Sequence, residues 1–208
     1  KPLTIQYKDY SVWQNNLLES GAFENARKYW NAKLSGEITR LNLPKDNLEN
    51  DNEKFKGGNA SFEISHEISQ KLQVLAKQQD SSLFMTLLSV LKVVLYRYTG
   101  QEDIIIGSVV SGRDHISLQE QIGFFVNTIA LRTKIDGTHT FEKVLKKVKT
   151  TTLDAFEYQY YPFDILINEV DEKISKNTNA IFDVLFSYHE SEEKSNTAVV
   201  VKEEIVFT

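Results

Sequence analysis

Four histidines, His66, His115, His139 and His189, are the side chains of this chain best suited to moving protons near neutral pH, and no two of them have a metal-ligand spacing such as HExxH. Each reads as an isolated surface or loop histidine. Serines are plentiful, but none sits in a GxSxG elbow, and the absence of cysteine excludes a thiolate nucleophile, a thiolate zinc site and any disulfide. The carboxylate pairs Glu192-Glu193 and Glu203-Glu204 are sequence neighbours, which a strand points to opposite faces, so neither is a glycosidase-type pair. GSVVSGRD (107–114) lacks both the GKS/T ending and the GxGxxG spacing of a phosphate loop. One polar residue does look misplaced. Asn127 interrupts IGFFVNTIALR (122–132), whose Phe124, Phe125, Val126, Ile129, Ala130 and Leu131 suit a buried strand. Its amide is costly to bury unless bonded, so it marks either a strand end or bulge with a satisfied side chain or a wall facing a cavity.

The elements that must position these residues can be read from period and punctuation. After the aromatic YKDYSVW (7–13), two short helical stretches part near Ser20 and Gly21, the second with Phe23, Ala26, Trp30 and Leu34 on one face. Residues 41–59 read as a long polar loop and NASFEIS (59–65) as a strand. Ser65 is a plausible N-cap for a helix carrying Ile68, Leu72 and Leu75, and Ser81 or Ser82 for one carrying Leu83, Leu87, Leu91, Val94, Leu95 and Tyr98, which Gly100 stops. DIIIGSVV (103–110) has the continuous apolar run of a strand buried on both faces, and SGRDHISLQEQ (111–121) is a polar loop. A helix from about 141 to 156 turns Phe141, Val144, Leu145, Val148 and Phe156 inward and lysines outward. YQYYPFD (158–164) breaks at Pro162, FDILINEV restarts as helix, and strands follow at 181–188 and 198–207, close enough for a hairpin. Helices interleaved with buried strands predict an α/β layered domain with a mostly buried mixed sheet flanked by helices.

The 208 residues are 41% hydrophobic and 25% charged, with a net charge of -5 that offers no electrostatic footprint for nucleic acid or an anionic membrane. The longest apolar stretch, 83–96, is too short for a bilayer span and is interrupted by Lys92, and there is no signal-peptide pattern. A cytoplasmic location is expected. The start at Lys1 without methionine and the apolar finish EIVFT suggest a piece of something longer.

Taken in order, several of these stretches resemble the C-terminal half of a condensation domain from a non-ribosomal peptide synthetase, a member of the chloramphenicol-acetyltransferase-like superfamily. YKDYSVW is similar to the YxDFxVW motif, and FENARKYWNAKLSG (23–36) to the ExxxxYWxxxLxG region after it. IGFFVNTIALR is close to IGxFVNTxxxR, YQYYPFD corresponds to the HQDYPFE box, and NAIFDVLFSY (179–188) to the RNPLFDVxF region. DIIIGSVVSGRDH (103–115) fits the segment preceding the VNT motif.

The resemblance implies a chloramphenicol-acetyltransferase-like half-domain spanning residues 1–208. It also implies transfer of an aminoacyl or peptidyl group from one carrier's phosphopantetheine thioester to the amine on the next carrier, in a tunnel between two halves. The family's HHxxxDG signature belongs to the N-terminal half and is absent here, so no residue of this chain is expected to be catalytic and the chain alone is expected to be inactive. Asn127, Gly123, Thr128, Arg113 and His115 are the tunnel candidates. Implied partners are the N-terminal half, donor and acceptor carrier domains and a neighbouring adenylation domain, with no nucleic acid, membrane, metal or directly bound cofactor. Tyr158, Tyr160 and Asp164 replace the box's histidine, aspartate and glutamate, and Thr178 and Ala180 replace the arginine and proline of the RNPLFD region, so roles of those family residues do not carry over. Competing readings are an epimerisation or heterocyclisation relative and a non-catalytic scaffold that docks carriers.

Overall fold

The computed structural model describes residues 3, 5–44, 58–171 and 181–189. In chain order the elements are α1 (Tyr7–Glu19), α2 (Glu24–Lys33), α3 (His66–Gln78), α4 (Leu83–Thr99), β1 (Asp103–Val110), α5 (Ile116–Gln119), β2 (Asn127–Lys134), α6 (Phe141–Glu157), α7 (Phe163–Asp171) and β3 (Leu185–Phe186). The chain forms two compact units: Lys1–Ile38, Val109–Ile129 and Ala155–Ile181 make the first, and Thr39–Ser108, Ala130–Asp154 and Phe182–Thr208 the second.

In the first unit the expected break near Gly21 separates α1 from α2, and the aromatic opening is itself the start of α1 rather than a lead-in to it. The spacing of Ala26, Trp30 and Leu34 turns all three inward, Trp30 to 1% exposure, and its indole N–H donates to the Tyr158 carbonyl at 2.9 Å. A buried indole needs such an acceptor, and here it pins α2 to the turn before Pro162. α2 also packs on α7, the helix expected at FDILINEV.

In the second unit the sheet order is β2-β1-β3, with β1 parallel to β3 through Gly107 opposite Leu185 and Ser108 opposite Phe186. Ile104, Ile105 and Ile106 are all buried, as the unbroken apolar run requires of a strand covered on both faces. Gly107 is where Phe182 lies against the strand: a Cβ there would collide with that ring. Ser65 and Ser82 cap α3 and α4 by accepting from Ile68 N–H at 3.4 Å and Met85 N–H at 3.1 Å, and Gly100 ends α4 at φ +70°.

Several expectations are corrected. NASFEIS is not a strand: 59–65 has no ladder, and Phe62 is 54% exposed. On α3 the buried positions are Ser69 and Ala76 while Ile68 is exposed, and on α4 Val94 and Tyr98 are exposed while Met85, Leu88 and Leu95 are buried. Lys92, which looked like an interruption of the apolar stretch, is fully buried and donates its ammonium to the Ile104 and Leu131 carbonyls at 2.9 and 2.7 Å. A charge can sit inside only with such partners, and these belong to β1 and β2, out of reach of a periodicity argument. On α6 Val144, Leu145 and Val148 are buried as expected, but Phe156 is 36% exposed. The 111–121 loop includes the short helix α5. Of 181–188 only Leu185 and Phe186 pair, and the strand expected at 198–207, with its hairpin, lies outside the described residues.

Candidate functional site

The segment 122–126 is loop rather than strand, with Ile122 97% and Phe124 77% exposed, because the ladder starts only at Asn127. The oddity in IGFFVNTIALR is thus a strand end. Both amide protons of Asn127 are used on main-chain oxygens, Gln159 at 2.7 Å and Tyr161 at 2.8 Å, and its Oδ1 accepts from Phe163 N–H at 3.1 Å. One side chain thereby holds the whole turn from 159 to 163, and these bonds satisfy the amide, as a strand end with a satisfied side chain requires. Thr128, next on β2, is half-buried, and strand alternation directs it to the other face.

Arg113 does for the preceding loop what Asn127 does for the following turn. Its guanidinium donates to the carbonyls of Leu118, of Gln121 at 2.7 Å and of Gly123 at 3.3 Å, and lies 4.4 Å from the centre of the Phe125 ring. Gly112 has φ +63°, and any Cβ there would run into the Phe125 carbonyl. At Gly123 the requirement is close packing, since a Cβ would clash with the rings of Tyr7 and Phe125. Tyr7 seals this approach by donating its hydroxyl to the Phe124 carbonyl at 3.0 Å. His115 is exposed and caps α5, with Nδ1 accepting from Ser117 N–H at 3.2 Å.

Tyr161 is buried and donates its hydroxyl to Glu169 Oε1 at 2.9 Å, while Arg27 and Asn31 donate to the same carboxylate, each at 2.8 Å. Burial first and the hydrogen bond to Glu169 second push the Tyr161 hydroxyl up to about 12. Tyr160 donates to Asp114 Oδ2 at 2.5 Å, and that bond, with burial adding to it, raises its hydroxyl to about 12 as well. Both tyrosines stay neutral donors through the physiological range.

The loop 112–118, helix α1 and Tyr160 enclose a cleft of about 730 Å³ lined also by Asp9, Tyr10, Trp13, Leu17 and Phe23. Of the five candidates only His115 lines it; Arg113, Gly123 and Asn127 brace the loops beside it. Sequence reasoning gave no site role to Tyr10, Trp13 and Leu17, although their spacing of three and four residues on one helix was the available signal. Among the described residues no group of three or more histidine, aspartate or glutamate side chains is placed to hold a metal ion, and no single helix is long and apolar enough to cross a membrane.

A family profile described as Condensation domain matches residues 1–204. The chain is 39% identical over 186 residues to bacitracin synthase 3 of Bacillus licheniformis, a match that covers 89% of this chain and 3% of that protein. It therefore spans only a small part of the length of this relative. The condensation domain of the monacolin K polyketide synthase MokA matches with a TM-score of 0.76 at 20% identity, over 96% of this chain and 50% of that one. The X-domain in its complex with OxyB from teicoplanin biosynthesis matches with a TM-score of 0.81 at 19% identity, over 97% and 48%. The α/β fold expected from the sequence is the one these chains share.

Proposed function

This chain belongs to the condensation-domain family, and from that premise we propose that it is the C-terminal subdomain of a condensation domain in a non-ribosomal peptide synthetase. The reaction takes an aminoacyl or peptidyl group from a donor carrier's phosphopantetheine thioester to the amine of an acceptor aminoacyl carrier. A C–N bond forms, the C–S bond breaks, the amine gives up a proton and the thiolate leaves. The observation that carries this reading is the run of family-like motifs in family order along a chain 39% identical to bacitracin synthase 3 over 186 residues.

The chemistry divides between this chain and what it must meet. A proton acceptor for the amine and donors for the tetrahedral oxyanion are required, and HHxxxDG, the family's source of the histidine, does not occur in these 208 residues. The work of this chain is positional: Asn127 and Arg113 hold the turns on either side of the strand start, so that the wall they form keeps its shape when substrate arrives. Gly123 belongs to the same wall and His115 to its rim, while Thr128 stands on the opposite face of β2 from Asn127. The phosphopantetheine is the carriers' own, and the carriers dock weakly enough to leave after each turnover. The remaining partners are the upstream half-domain and a neighbouring adenylation domain.

Single-turnover peptide-bond formation between loaded cognate carriers tests this. The chain alone gives no product, and the chain joined to an upstream half bearing HHxxxDG gives product that Asn127→Ala slows. Product from the pure chain overturns the first expectation. A folded but inactive joined protein favours a second reading, a docking scaffold, for which the support is that the X-domain seen in complex with OxyB shares this fold.

A further inference from the structure

The cleft of the first unit, about 730 Å³, has the size of a small-molecule site, and of its lining residues only His115 has a part in the chemistry above. Its walls are mainly apolar, with the rings of Tyr10 and Trp13 tilted together at 5.6 Å between centroids. Its rim carries Asp9, Asp114, His115 and Tyr160, and among the described residues neither lysine nor arginine lines it. Each carboxylate commits one oxygen internally: Asp9 Oδ2 accepts from Gln6 N–H at 2.8 Å, and Asp114 Oδ2 from the Tyr160 hydroxyl at 2.5 Å. The second oxygen of each has no hydrogen bond among the described residues.

Two carboxylates alone would attract any cation and select none. A concave apolar wall changes this, because hydrocarbon gains by leaving water and aromatic faces attract a cation that the carboxylates orient. An anion meets the like charge of Asp9 and Asp114 here, and a bare inorganic cation keeps its hydration and gains little from the rings. We propose that this cleft binds a primary ammonium carried on an apolar body, with the open oxygen of Asp114 as counter-ion and the Tyr10 and Trp13 rings against the hydrocarbon. The inference goes beyond the condensation reading and does not depend on it, since it is tested without carrier domains.

The probes are 2-phenylethylamine, its neutral isostere 2-phenylethanol, and the anion 3-phenylpropanoate, each titrated into the 208-residue chain and followed by the Trp13 indole N–H resonance. The amine binds about fivefold or more tighter than the alcohol, as a rim carboxylate combined with cation–π contact should give, and the propanoate binds weakest. Asp114→Asn still offers an oxygen to the Tyr160 hydroxyl but lacks the charge, so amine and alcohol then bind within roughly twofold of each other. Trp13→Ala weakens both. Equal binding of amine and alcohol to the native chain, an amine preference that survives Asp114→Asn, or no binding of either probe at millimolar concentration overturns the proposal.

Discussion

Asn127 uses both donors of its amide on carbonyl oxygens and its acceptor on a peptide N–H, so its chemistry and not its size is what the 159–163 turn requires. Removing it with Asn127→Ala strands these three main-chain groups and is expected to cost about 1–3 kcal/mol, read as a lower urea midpoint. Asn127→Asp keeps the volume yet turns lone pairs toward two carbonyls, and is expected to cost at least as much. A midpoint for Asn127→Asp equal to that of the unsubstituted chain would mean that only the bond from Phe163 N–H matters. That an amide in an apolar run must find partners was legible in the sequence. Which groups those are was not, since they lie 32 to 36 residues further on. Tyr160 makes the same point, because its replacement of the box's aspartate was visible but its bond to Asp114, 46 residues away, was not.

Elements here are joined by side chains at their ends. Glu169 on α7 accepts from Arg27 and Asn31 on α2 and from Tyr161 in the turn. Burial by itself would raise its carboxyl, but the bonds from Asn31, Tyr161 and Arg27 outweigh it and hold the group below its usual 4.5. A carboxylate lowered in the folded state contributes stability that is present above the unfolded value and lost as pH falls through the folded one, so the window lies on the acid side of 4.5. Glu169→Gln should therefore give a shallower loss of stability on acidification, together with a loss of about 1–3 kcal/mol at neutral pH. Denaturant midpoints between neutral pH and pH values below 4.5 check both, and an unchanged acid limb would remove Glu169 from the account. Helix ends were legible because a cap is local: Ser65, Ser82 and Gly100 act within four residues of their own positions. Helix faces were less so, and α4 buries Thr86, Ser89 and Lys92 where hydropathy pointed to Val94 and Tyr98.

At the scale of the whole molecule, burial concentrates in β1 and the middle of β2, where Ile104, Ile106, Ala130 and Leu131 have no exposed surface. Amide hydrogen exchange should be slowest there and fast across 59–65, which has no ladder. Equal protection of the two regions would contradict the strand assignment. The sequence by itself determined the α/β class, the buried strand at 103–110, most helix boundaries and, through motif order, the family; these rest on local period, capping and composition, which act over a few residues. Only the tertiary structure decided that IGFFV is a loop that exposes Ile122 and Phe124 while burying Phe125, that Lys92 belongs inside, and that Asp9, Trp13, Asp114 and Tyr160 share one cleft. Each of those depends on partners far along the chain: a strand forms only where a neighbour supplies the ladder, a buried charge only where carbonyls meet it, and a cleft only where separate loops converge.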